Sequence, residues 1–285
     1  MTTYAVTGAT GGLGGGAIRA LIERGTNPAD IVAIVREEAK AGALRDAGVE
    51  VRVADYADLA ALEAALTGVD KLLLVSGSEV GQRFPQHSNV IKAAQTAGVR
   101  LIAYTSILRA DSTEMLLADE HLQTEKLLAS TGIDTVLLRN GWYSENYVQS
   151  LAPAIDTGVF AGSGGTAVVN PAARADYADA AAVALLEAPA GAIYELVGDE
   201  SLTYADIAGA FATASGRPVS YQDLPEADYA AGLVAAGVPD GFAATLANSD
   251  ASAARGALAS DSTDLADLRG KPSTGFIEVV KAALT

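Results

Sequence analysis

The 285-residue sequence contains no cysteine. That absence excludes disulfides, thiolate metal sites and cysteine nucleophiles together. Histidine is nearly absent as well. His87 and His121 are the only two, so a histidine-based metal cluster is not expected. Positive charge is scarce: 19 Lys and Arg face 35 Asp and Glu, for a net charge of −16. Such a surface repels phosphate backbones and anionic lipid, which argues against nucleic acid or a membrane as principal partner. No apolar run approaches the length that spans a bilayer, and no charged leader with an apolar core opens the chain. These absences predict a cytoplasmic protein. With half of its residues apolar, the chain can bury a sizeable core as one large domain or a domain plus a lobe.

What is present starts at Tyr4, where a short apolar run empties into Gly8-x-x-Gly11-x-x-Gly14. A buried strand ending in closely spaced glycines and followed by a helix receives a dinucleotide pyrophosphate in a Rossmann fold. The first glycine permits the tight turn, the second lets backbone approach phosphate, and the third lets helix pack closely on strand. The helix N-terminus offers unpaired N–H groups and a positive dipole end. Ala17-Ile18, Leu21-Ile22 and Gly25 supply the apolar helical face and its stop.

Strand-like runs recur at Ala5–Thr7, Ile31–Val35, Val49–Val53, Lys71–Val75, Leu101–Thr105 and Thr135–Leu138. Helical stretches lie between them at Glu37–Ala47, Leu59–Leu66, Asn89–Ala97 and His121–Ser130. Near-continuous apolar strands separated by helices predict an α/β protein with a doubly wound parallel sheet. After Trp142 the alternation loosens: Gly158–Gly165 reads as irregular, Ala167–Val169 and Ala192–Val197 as short strands, and Ala175–Glu187 as a helix. Thr203-x-x-Asp206 resembles a capping box, and from there the chain reads as mostly helical, apart from a strand at Val219–Gln222. Residues 1–150, completed by about 166–198, are expected to form the dinucleotide-binding domain. Residues 199–285, with the 151–165 loop, are expected to form a small, mostly helical substrate-binding lobe.

The residue after the second strand bears on the choice of dinucleotide. An acidic residue there would bind the ribose hydroxyls, but this chain has Arg36, whose guanidinium can stack on adenine and hold a 2′-phosphate. NADPH is therefore preferred, with Lys40 adding charge and Glu37 and Glu38 pulling the other way, which keeps NADH open. Asp55-Tyr56 follows the third strand and Ser76-Gly77-Ser78 the fourth, at successive carboxyl ends where a dinucleotide would lie.

A Tyr with a Lys four residues later, the proton-donating pair of most short-chain dehydrogenases, is missing: none of the ten tyrosines has it. His121 and Glu125 occupy the i, i+4 face of the helix that should carry it. His121 could act as an acid or orienting donor with Glu125 fixing its tautomer, or the two could be a helix-surface pair. Hydride delivery to a ketone makes a basic alkoxide that wants a positioned acid. Delivery to a quinone makes a resonance-stabilised phenolate, and a cationic acceptor needs no proton at the reacting carbon. The missing pair points to electrophiles that demand little acid catalysis.

The stretches at 7–14, 34–36, 76–79, 119–128, 138–147 and 174–178 together resemble the NmrA-like, atypical short-chain dehydrogenase/reductase group. Within it they are most similar to the type-2 NAD(P)H:quinone oxidoreductases, with triphenylmethane-dye reductases next. The resemblance implies hydride transfer from NADPH to a quinone or related carbonyl electrophile, without flavin or metal. By motif position it implies cofactor contacts from Gly8, Thr10, Gly11, Gly12, Leu13, Gly14 and Arg36, then from Asp55, Tyr56, Ser76, Gly77, Ser78, Gln82 and Thr105. Asn140, Gly141, Trp142 and Tyr143 would approach nicotinamide and substrate, with Arg174 on the cofactor. Ser106, His121 and Tyr177 would join Trp142 and Tyr143 around the substrate, and His121 is the candidate catalytic residue. A reductase of ketones, imines or triarylmethane dyes is an alternative, as is a non-catalytic, NADP-binding redox sensor. A homo-oligomer is left open.

Overall fold

Apolar runs and glycine turns become eleven strands and thirteen helices in the computed structural model, which describes residues 1–285. The strands are β1 (Tyr4–Val6), β2 (Ile31–Val35), β3 (Glu50–Val53), β4 (Lys71–Leu74), β5 (Leu101–Ile107), β6 (Asp134–Asn140), β7 (Val159–Gly162), β8 (Val168–Val169), β9 (Ile193–Leu196), β10 (Leu202–Thr203) and β11 (Ser220–Asp223). The helices begin with α1 (Gly12–Glu23), α2 (Gly42–Asp46), α3 (Leu59–Ala65), α4 (Arg83–Ala97), α5 (Ala118–Ser130), α6 (Ser144–Val148), α7 (Leu151–Thr157) and α8 (Arg174–Glu187). They continue with α9 (Tyr204–Ser215), α10 (Glu226–Ala235), α11 (Asp240–Ala253), α12 (Asp264–Arg269) and α13 (Phe276–Ala282). None is long and apolar enough to cross a membrane.

Seven strands form one parallel sheet in the order β3-β2-β1-β4-β5-β6-β9. The order reverses at β1, between β2 and β4, and such a switch point opens a crevice at the carboxyl ends of the strands. Strands β2 and β5 are buried at every residue, as helices on both faces require.

The chain divides into two compact units. The first comprises residues 1–107, 120–139 and 174–194, and its core includes Val32, Ile34, Leu62, Leu72, Leu74, Ile91, Ile102 and Tyr104. Helix α8, far along the chain, packs on α1 so closely that a Cβ on Gly16 would lie 2.7 Å from the Ala178 methyl. The Lys71 ammonium donates to the carbonyls of Leu185 and Leu186 at the end of α8, at 2.9 and 3.0 Å. The second unit, 108–119, 140–173 and 195–285, centres on aromatic rings from Tyr147, Phe160, Tyr204, Phe211, Tyr221 and Phe276. The chain passes from one unit to the other after residues 107, 119, 139, 173 and 194.

Two local expectations need correction. Gly158–Gly165 is not wholly irregular, because Val159–Gly162 pairs in parallel with Ser220–Asp223. The helix expected over 37–47 splits into a 3₁₀ turn at Glu38–Lys40 and the short α2. Only Ala41 is buried between Arg36 and Val49, so no apolar stripe holds a longer helix against the sheet. The capping box is present: Thr203 Oγ1 accepts from Asp206 N–H, and Asp206 accepts from Thr203 N–H.

Candidate active site

The glycine loop follows β1 at the switch point. Gly8 has φ +58°, a conformation that favours glycine, and its carbonyl accepts the Gly11 N–H at 2.9 Å. A Cβ on Gly14 would lie 2.4 Å from that same carbonyl oxygen, so α1 can begin this close to β1 only with glycine there. Thr10, Gly11 and Gly12 are exposed, while Leu13 and Gly14 face inward. No side chain caps the first turn of α1, which leaves its amides and dipole to an anion. Arg174, at the start of α8, lies along Gly12: a Cβ there would come 2.9 Å from Arg174 Cδ.

Arg36 projects from the end of β2 and is exposed. Glu37 and Glu38 do not compete for it directly. Glu37 is paired with Lys40 at 2.8 Å and Glu38 with Arg45. Asp55 closes a turn on the Ala57 N–H at 2.8 Å. Tyr56 donates its hydroxyl to the Val75 carbonyl at 2.8 Å, and burial pushes its pKa up. At the next carboxyl ends, Ser76 N–H donates to Thr105 Oγ1 at 2.8 Å, and Thr105 donates to Ser76 Oγ at 3.2 Å. Ser78 and Gln82 are exposed, Gln82 at the start of α4.

Gly77 opens a buried hydrogen-bond chain that sequence reasoning missed. Its N–H donates to His87 Nε2 at 2.9 Å, which places the His87 proton on Nδ1. That nitrogen lies 3.1 Å from Thr124 Oγ1 and 3.4 Å from the Tyr104 hydroxyl. Thr124 donates its own proton to the Glu120 carbonyl, so it accepts from His87. Tyr104 Oη then lies 2.7 Å from His121 Nδ1. Since His87 gives its single Nδ1 proton to Thr124, the direction of the bond between the Tyr104 hydroxyl and His121 Nδ1 follows the tautomer of His121. Burial, with the Arg83 guanidinium nearby, lowers His87 to about 3 and holds His121 well below its ordinary value. His121 is thus a neutral imidazole at physiological pH, a hydrogen-bond donor and not an imidazolium acid.

This corrects the His121–Glu125 pairing. Both are buried, at 6 % and 7 % exposure, so they are no helix-surface pair, and Tyr104 orients His121. Glu125 instead accepts from Ser106 Oγ at 2.5 Å and from Arg139 Nε and Nη2 at 3.1 and 2.8 Å. Helix α5 connects β5 to β6, so the strands on either side of that crossover deliver Ser106 and Arg139 to one carboxylate. Ser106 is therefore committed to a buried ion-pair cluster and is not presented to a substrate. Tyr177 is fully enclosed on the buried face of α8, which also removes it from any surface a substrate reaches. The only sequence signal for the network was the polar run Tyr104-Thr105-Ser106 ending an apolar strand.

In the second unit, Asn140 and Gly141 end β6 and lead to Trp142 and Tyr143. Gly141 N–H donates to the Leu196 carbonyl at 2.7 Å, and Tyr143 bridges to Ala172. Asn140 Nδ2 donates to the Tyr143 hydroxyl at 3.4 Å, while its Oδ1 is buried without a hydrogen-bond partner. A buried unsatisfied carbonyl costs about 1–3 kcal/mol, a penalty that a ligand donor would relieve.

Comparison with known proteins gives this arrangement its relatives. The sequence pattern of the NmrA-like family matches residues 2–257. Quinone oxidoreductase 2 of Escherichia coli K12 is 54% identical over 278 residues, 97% of this chain and 96% of that one. A crystal structure of the Escherichia coli NADPH-dependent quinone oxidoreductase complexed with NADPH superposes with a TM-score of 0.96 at 52% identity, covering 99% of this chain and 100% of the other. The Citrobacter sp. triphenylmethane reductase complexed with NADP(H) superposes at 0.93 with 37% identity, over 99% and 100% of the two chains. With a family pattern that reaches from the glycine loop into the second unit, and relatives that align from end to end, the chain belongs to the NmrA-like family.

Proposed function

We propose that this chain is an NADPH-dependent reductase that passes a hydride to a quinone. The likeness to the Escherichia coli quinone oxidoreductase along nearly the whole of both chains carries the reading. The residues of the first unit fit a dinucleotide. The loop turns at Gly8, the first turn of α1 is uncapped, and the exposed Arg36 suits a 2′-phosphate. When bound, NADPH supplies the hydride.

The chain's own residues bind and orient. Amides at Gly12 to Gly14 would hold the pyrophosphate, and Arg36 would take the 2′-phosphate. Backbone at Ser76 to Ser78 would lie towards the nicotinamide ribose, and in the second unit Asn140, Trp142 and Tyr143 would offer contacts to the acceptor. The quinone gains a hydride and one proton to become a hydroquinone, and the proton comes from solvent, because a neutral His121 can offer a hydrogen bond but is no acid. Neither flavin nor metal takes part. The chain has no thiolate to offer a metal, and in both histidines a ring nitrogen is held by an internal hydrogen bond.

The test follows absorbance at the reduced-nicotinamide band with a panel of small quinones, one simple ketone and one triphenylmethane dye. Quinone turnover faster with NADPH than with NADH is expected, and the ketone should react least. The absence of a Tyr-x-x-x-Lys pair favours one competing reading, a dinucleotide-binding sensor. Tight dinucleotide binding without turnover of any acceptor would establish the sensor and overturn the reductase.

A further inference from the structure

Arg36 and Glu79 follow β2 and β4, the two strands that flank β1. Neighbouring strands lie about 4.8 Å apart, so residues beyond these two are separated by roughly 10 Å, across the end of β1. Their side chains nonetheless meet, with Arg36 Nη1 3.0 Å from Glu79 Oε1. The other oxygen of Glu79 accepts from Gln86 Nε2 of α4 at 2.8 Å, which aims the carboxylate at the arginine. Glu37 and Glu38 are paired with Lys40 and Arg45, and Glu37 acts on Arg36 only through its field, so Glu79 is the carboxylate hydrogen-bonded to Arg36.

The two side chains are 63 % and 50 % exposed. Exposed pairs contribute little to stability, so the contact matters for what else Arg36 could bind. A guanidinium recognises phosphate best through two parallel N–H bonds. Here Nη1 is already given to a carboxylate, and a phosphate arriving at the remaining donors would meet that negative charge close by.

We propose that Glu79 is a specificity-determining residue that competes with a 2′-phosphate for Arg36 and so narrows the preference for NADPH over NADH. The inference rests on the dinucleotide reading above. It makes Glu79 the counter-ion of Arg36 until a dinucleotide binds, displaced or repelled by a 2′-phosphate and indifferent to NADH. Gln86 is a positioning residue that keeps the carboxylate in place.

The experiment measures binding of NADPH and NADH to the intact chain by nicotinamide fluorescence, at low and high salt, for wild type, Glu79→Gln, Arg36→Ala and Arg36→Ala/Glu79→Gln. Glu79→Gln keeps the side-chain shape and removes the charge. It is expected to tighten NADPH about three- to tenfold, the scale of one exposed like-charge contact, while NADH stays within about twofold. High salt should shrink the difference, and the effect should vanish in the Arg36→Ala background. An unchanged or falling NADPH/NADH ratio, or an equal change for both dinucleotides, overturns the proposal while leaving the reductase reading intact. Failure of the wild-type chain to bind either dinucleotide overturns both.

Discussion

At the residue scale, the chain spends its few histidines on hydrogen bonds, and burial keeps them uncharged. The pKa of His121 lies well below its ordinary value because burial and the Arg83 guanidinium disfavour the cation. Its protonation therefore falls outside the neutral range. The kcat/KM for a quinone is expected to show no inflection from this imidazole between about pH 6 and 8. A wild-type inflection near pH 6.5 that is absent from His121→Gln would show that the ring does titrate. Glu125 gives a second prediction, on stability. It accepts three bonds from two side chains in a dry site, so Glu125→Gln removes a buried carboxylate charge that faces the Arg139 guanidinium. Breaking such a pair costs about 3–5 kcal/mol, to be read as a fall in the denaturant midpoint with unchanged slope. The i, i+4 spacing of His121 and Glu125 is visible in the sequence. Their real partners are not, because Tyr104, Ser106 and Arg139 arrive from strands whose order only the folded sheet defines.

At the scale of elements, the glycine loop was legible because each glycine answers a local constraint. Gly8 supplies a positive φ, and Gly14 supplies the space beneath α1. Gly14→Val should lower dinucleotide affinity by about a hundredfold or more, roughly 2.7 kcal/mol, while circular dichroism still reports a folded chain. Unchanged affinity would show that the start of α1 does not set the cofactor site. Apolar strands such as Ile31–Val35 were readable for the same local reason, since both faces are buried. Helix α4 begins six residues ahead of the expected Asn89, with Pro85 in its first turn, where a missing N–H costs nothing. Strand β7 was hidden because its partner, β11, lies some sixty residues later, and no local pattern announces such a pairing. Asn140 and Tyr143 could be placed by motif, but the unsatisfied Asn140 oxygen could not.

At the scale of the whole molecule, an anionic chain also buries one carboxylate without a cation. Asp250 of α11, 8 % exposed, accepts from Tyr204 Oη at 2.8 Å and Ser163 N–H at 3.2 Å. Burial, with the Asp223 carboxylate acting in the same direction, raises its pKa from the ordinary 3.8 to about 6. Because the folded state holds this proton more tightly than the unfolded one, Asp250 favours folding most below about pH 4. That contribution fades as pH rises through 6, and amounts to about 3 kcal/mol for a rise of this size. Between pH 4 and 7, Asp250→Asn should therefore flatten the loss of stability measured by denaturant unfolding. An identical slope in wild type and mutant would mean that Asp250 does not titrate there. The packing of α8 on α1 has a consequence for synthesis. A nascent chain emerges amino end first, so the glycine-loop helix is made early, with Gly16 waiting for Ala178 and Lys71 waiting for the carbonyls of Leu185 and Leu186. Until residue 187 has cleared the ribosome, the outer face of α1 is bare. A stalled or nicked chain ending short of α8 would show quality-control factors a sticky apolar flank in place of a finished nucleotide cradle.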